Sequence, residues 1–111
     1  MTDQMTHQKK TRRQKLEEFL ASNPNDAFSR YGIALDCFHD GDLAAADSHF
    51  RTLLQNNAEY VPTYLMYAQM LSQNERRDEA KSVLARGIEA ATRAGNQHAR
   101  SEMENLLAEL S

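Results

Sequence analysis

Residues 27–60 and 61–94 of this chain overlay when one stretch is slid by 34 positions, and the positions that coincide are the small and apolar ones. Ile33 falls on Tyr67, Ala34 on Ala68, Cys37 on Leu71, Ala46 on Ala80, Phe50 on Leu84 and Leu54 on Ile88. Only three pairs are identical, Ala34/Ala68, Ala46/Ala80 and Ser48/Ser82, so the repetition is one of residue class at fixed spacing. A period of this length marks a supersecondary unit that buries its apolar face on the next copy, and such arrays usually bind rather than transform.

The period is filled by helices. Beyond the first residues no stretch alternates apolar and polar residues long enough for a strand, and four Gly and two Pro are the main breaks in the chain. A first helix over 11–21 carries Leu16, Phe19 and Leu20 and stops at Ser22-Asn23-Pro24, because proline removes an amide donor and disfavours helix in the residue before it. Asp26 can cap a second helix over 27–39, which ends at Asp40-Gly41-Asp42, where glycine permits the positive φ of a helix exit. A third follows over 43–56, and a fourth runs from Pro62, tolerated in a first turn, to 73. The fifth, 77–94, ends at Gly95-Asn96, and the sixth, 97–110, sets Met103, Leu106, Leu107 and Leu110 on one face. The expected fold class is all-α, with about six antiparallel helices joined by short turns.

These residues carry a family resemblance. Ile33-Ala34-x-x-Cys37 with Ala46-x-x-x-Phe50, and Tyr64-x-x-Tyr67-Ala68-x-x-Leu71 with Ala80-x-x-x-Leu84, resemble the tetratricopeptide repeat, whose helix pairs place small residues where the helices cross and bulky ones beside them. Arg30 stands where that family prefers tryptophan, and Glu75 where the second unit would have glycine. The resemblance implies a right-handed superhelix of antiparallel helix pairs. It divides a single domain over 11–111 into a half repeat (11–24), repeat one (27–60), repeat two (61–94) and a capping helix (97–110), preceded by a disordered basic tail over 1–10.

In that family the concave surface is lined by the first helix of each unit. Carried over, it is formed here by Phe28, Tyr31, Gly32, Leu35, Phe38 and His39 in repeat one and by Pro62, Leu65, Met66, Gln69, Ser72 and Gln73 in repeat two. At about 100° per residue Phe28, Tyr31, Leu35 and Phe38 fall within about 80° of one another, opposite Ile33, Ala34 and Cys37. One face therefore stays apolar after the repeat partner is covered, and something must bury it. Three occupants are open: the terminal helices, a peptide or helix from another protein, or a second copy through the same face. For a partner protein the contact set is Phe28, Tyr31, Leu35, Phe38, Leu65, Met66, Gln69 and Gln73. Chaperone-binding members of the family hold a C-terminal carboxylate with Lys, Arg and Asn, and Tyr31, Leu35, Phe38, Leu65 and Gln69 supply no such clamp.

Charge is unevenly spread. Residues 1–15 hold five basic residues against Asp3, whereas the remainder holds 8 basic and 15 acidic residues, for a net charge of −3 overall. The run Lys9, Lys10, Arg12, Arg13 and Lys15 is the basis of the alternative reading, an accessory protein on nucleic acid or a membrane surface. It lacks interleaved aromatics and is followed at once by Glu17 and Glu18, so nucleic acid is the less expected partner. No apolar run approaches the roughly 20 residues of a membrane span, the polar start is unlike a secretory signal, and the single Cys37 fits a reducing compartment; the expected location is cytoplasmic.

Catalysis has no evident seat. His39, Asp40, Asp42 and His49 cluster in sequence without the spacing of a metal site, and Cys37, two residues from His39, falls on the packed side of its helix. No catalytic residue, metal ligand or cofactor is assigned, and the expected role is that of a non-catalytic adaptor.

Overall fold

In the computed structural model, which describes residues 10–111, regular structure consists of six helices. They are α1 (Arg12–Ser22), α2 (Ala27–His39), α3 (Leu43–Asn56), α4 (Pro62–Gln73), α5 (Arg77–Ala94) and α6 (Gln97–Leu110). The fold is all-α, and α2 to α6 have the bounds expected from the sequence. α1 starts one residue later than expected because Thr11 is its cap. The Thr11 hydroxyl accepts from the Gln14 amide at 3.1 Å while the Gln14 side chain accepts from the Thr11 amide at 2.8 Å, a capping box that satisfies two donors at once. The expected tail over 1–10 lies outside the described residues apart from Lys10.

Three helix exits share one device. After α2 the Asp42 amide donates to Cys37 O at 2.9 Å and the Gly41 amide to Phe38 O at 3.1 Å, with Gly41 at φ 82°. After α4 the Arg76 amide donates to Leu71 O at 2.9 Å and Glu75 to Ser72 O at 3.2 Å, with Glu75 at φ 61°. Gly95, at φ 69°, closes α5 in the same way, the Asn96 amide reaching Ala91 O at 2.9 Å. Each is a Schellman closure: a left-handed residue turns the chain so that orphan carbonyls of the last helical turn find donors.

The described residues form two compact units, one ending at His49 and the other Phe50–Ser111, so the boundary falls inside α3. In the first, α1 packs on α2. The close approach is made at Gly32, where an added Cβ would stand 2.8 Å from Leu16 Cδ1. Charge guides the same pairing: Arg12 lies 3.3 Å from Asp36, and Arg13 lies 3.7 Å from Asp40 and 3.4 Å from Glu17. Leu20, Ile33, Ala34, Cys37 and Ala46 are buried. Asp26 caps α2, its carboxylate accepting from the Ser29 amide at 2.9 Å and hydroxyl at 2.6 Å, and these bonds lower its pKa.

In the second unit α4 packs on α5, α5 on α6, and α6 also touches α4. Gly87 lies among these three helices; a Cβ there would sit 2.5 Å from both Tyr64 Cβ and Met103 Sδ. Tyr64 and Met103 are buried, filling the space that glycine leaves at close-packed density. The Tyr64 hydroxyl donates to Ala58 O at 2.6 Å, and burial raises its pKa. Phe50 stacks on Tyr67 with ring centroids 5.1 Å apart and planes 22° apart, worth about 1 kcal/mol beyond the area buried. Arg93 grips Glu59, 34 positions away, at 3.0 and 3.3 Å, and Arg77 donates to Leu110 O at 3.1 Å, tying the start of α5 to the end of α6.

Candidate interaction surface

Each of the two surfaces arises because a helix has more apolar residues than its packed side can use. On α2 the inward side takes Ile33, Ala34 and Cys37, wholly buried. Phe28, Tyr31, Leu35 and Phe38 fall on its other side, where Phe28 is 68% exposed and the other three are half-buried. Gly32 is covered by Leu16 of α1, and His39 is exposed, its ring stacked on Phe38 at 5.8 Å between centroids. Phe19 of α1 is a second exposed aromatic, at 51%. Single apolar side chains are commonly exposed, but an uncovered phenylalanine next to a half-covered aromatic stripe is unusual.

On α4 the division is the same. Tyr64, Tyr67, Ala68 and Leu71 are buried; Leu65, Met66 and Gln69 are half-buried and Gln73 is exposed. Two of these residues, Leu65 and Gln69, line a shallow hollow of about 280 Å³ whose other wall is α6, contributed by Glu102, Asn105, Leu106 and Glu109. Met66 and Gln73 lie outside that lining. The α6 residues were absent from the expected contact set because in the sequence Leu106 belongs to the apolar stripe of its helix, with Glu102 and Glu109 off that stripe. The signal that could have found them is their spacing, i, i+3, i+4 and i+7, which puts all four on one side of the helix.

Three cations of the N-terminal run, Lys10, Arg12 and Arg13, are paired within the first unit. Arg12 and Arg13 reach Asp36 and Asp40 as described, and Lys10 pairs with Glu18. A further depression of about 320 Å³ in the second unit is lined by Arg51, Tyr67, Leu71, Glu79, Ser82 and Arg86 among others. Its carboxylate is already held, Glu79 accepting from Arg76 at 2.7 and 2.9 Å with Arg51 at 3.4 Å.

The titratable groups give no converging acid and base. Cys37 is wholly buried, and desolvation raises its pKa, which favours the inert thiol over the nucleophilic thiolate. His49 accepts on Nδ1 from Arg30 at 3.1 Å when neutral, and burial together with the Arg30 charge holds its pKa below the ordinary 6.5. Among the described residues no group of three or more His, Cys, Asp and Glu is placed to hold a metal ion, and no helix is long and apolar enough to cross a membrane.

Comparison with known proteins bears on these helix pairs. A family model described as tetratricopeptide repeat matches residues 38–110. The chain is similar to a tetratricopeptide repeat domain protein from Salinibacter ruber, solved in solution by NMR, with 28% identity, 79% of this chain and 89% of that chain covered, and a TM-score of 0.76. Against the crystal structure of a tetratricopeptide repeat domain protein from the same organism the identity is 28%, the coverage 77% and 96%, and the TM-score 0.73. A protein from Bordetella parapertussis, solved in solution, shares the fold at 22% identity over 92% of this chain and 89% of that one, with a TM-score of 0.76. Among curated proteins no match was found.

Proposed function

The chain belongs to the tetratricopeptide repeat family, whose repeats generally mediate protein–protein interaction, and on that premise we propose that it is a non-catalytic adaptor. It holds a peptide or helix of another protein against the exposed sides of α2 and α4, with Phe28, Tyr31, Leu35, Phe38, Leu65, Met66, Gln69 and Gln73 as contacts. Its setting is the cytoplasm, in keeping with a single buried thiol.

The observation that carries this reading is the uncovered aromatic side of α2, above all Phe28 at 68% exposure. Aromatic anchors account for most of the energy of peptide recognition because they bury large areas at small entropic cost. The rival reading through the basic run is weakened by Arg12 and Arg13, whose charge is already matched by Asp36 and Asp40.

A backbone NMR titration against a peptide library tests it. Shifts should gather on residues 28–39 and 62–73, and Phe28→Ser should weaken binding while leaving the melting temperature unchanged. Shifts confined to residues 10–15, or binding of DNA or anionic vesicles lost on deletion of residues 1–15, would replace the adaptor with the accessory reading. Concentration-dependent self-association abolished by the same Phe28 substitution would assign the face to a second copy.

A further inference from the structure

Docking on α4, as proposed above, leaves open what chemistry the partner brings, and the wall contributed by α6 narrows it. Glu102 and Glu109 stand two turns apart on one side of α6, about 10 Å along its axis, and both line the hollow beside Leu65 and Gln69. Between them lie Asn105 and Leu106. The floor therefore has two half-buried leucines, Leu65 and Leu106, and its rim has a carboxylate near each end and the amides of Gln69 and Asn105.

We infer that the α4–α6 hollow takes a basic amphipathic segment of another protein, with Lys or Arg side chains directed to Glu102 and Glu109 and an aliphatic side chain seated on Leu65 and Leu106. This rests on the docking reading of α4. Lysine and arginine suit such a hollow because their methylene stems lie along apolar surface while the charged head reaches the rim. An acidic segment, or a free C-terminal carboxylate, would meet like charge at both ends, and such juxtaposition is what excludes wrong partners. The field of the body acts in the same direction, since beyond residue 15 the chain holds 8 basic against 15 acidic residues. The neighbouring carboxylate differs: Glu104 accepts from Arg100 at 3.1 Å and is not part of the lining. Glu102 lies 3.4 Å from the exposed His98 ring, an ion pair only when that ring is protonated.

Two acetylated, amidated helical peptides provide the test, identical in their leucine positions, one with Lys and the other with Glu at every polar position. Titrated into the full chain, the Lys peptide should shift the amides of residues 65, 69, 102, 105, 106 and 109 and bind about tenfold more tightly than the Glu peptide. That preference should shrink with added salt. It should largely vanish in the variant carrying Glu102→Gln and Glu109→Gln, and persist in Glu104→Gln. Equal binding of both peptides at Leu65 and Gln69 would overturn the charge inference and leave docking on α4 intact. If neither peptide shifts α4 even at the limit of its solubility, both readings are overturned. Occupation by the chain's own basic run would appear as self-association lost on deletion of residues 1–15, and would overturn a foreign partner.

Discussion

Repeat one and repeat two solve the same geometric problem with different side chains at equivalent positions. Glu75 occupies in the second turn the left-handed place that Gly41 occupies in the first, yet both turns make the same pair of backbone bonds. Ser29 is buried and bonded to Asp26, whereas Thr63, its counterpart 34 positions on, is buried with an unpartnered hydroxyl oxygen. Leu53 is wholly buried on α3 where α5 has Gly87, and His49 stands where α5 has the buried Val83. Backbone closure is preserved, while the side chains at equivalent positions, polar ones included, differ between the two repeats.

The sharpest way to break the comparison is at a position the two repeats share. Ala80 is wholly buried, and Ala80→Asp should remove about 3–5 kcal/mol through overpacking and an unpaired buried charge; an unchanged Tm would contradict the packing described. Gly87→Ala should cost about 1–3 kcal/mol in denaturant unfolding, since its methyl would press on Tyr64 and Met103. The hydroxyl pair should respond with opposite signs: Ser29→Ala loses about 1 kcal/mol, while Thr63→Val, which replaces an orphaned oxygen with a methyl group, gains about 1 kcal/mol. Loss of stability in both would mean that the two hydroxyls are equivalent after all. Glu75→Gly should raise stability by about 0.5 kcal/mol, the relief of a left-handed residue less the added freedom of glycine in the unfolded chain.

The smallest effect should come from His49. Its folded pKa is depressed below 6.5 by burial and by Arg30, with Arg13 adding to the effect and Glu17 opposing it. Above 6.5 both folded and unfolded states hold a neutral ring, and the group costs nothing. As pH falls through 6.5 the unfolded chain takes up the proton first, so stability declines until the folded pKa is passed. Melting temperatures measured from pH 8 to pH 5 should show that decline, and His49→Val, the residue of repeat two, should remove it.

The helices were legible because most ends carry a local cause: Thr11, Asp26 and Asn96 as caps, Pro24 and Pro62 as breaks, Gly41 and Gly95 as left-handed exits. Glu75 was the least legible end, since no local preference brings glutamate to positive φ; the bonds from the Arg76 and Glu75 amides hold it there. The hollow beside α4 was half legible. Leu65 and Gln69 followed from the resemblance; the spacing of Glu102, Asn105, Leu106 and Glu109 puts them on one side of α6, but that this side faces α4 depends on packing that no helical wheel of α6 alone contains. Gly32 was placed on the open surface by analogy, and Leu16 of α1 covers it instead.

Gly87 also limits how these parts can be reassembled. A copy of residues 27–60 grafted in place of 61–94 would set the bulk of Leu53 against Met103, so an engineer exchanging the segments would have to keep a residue without a side chain at that position.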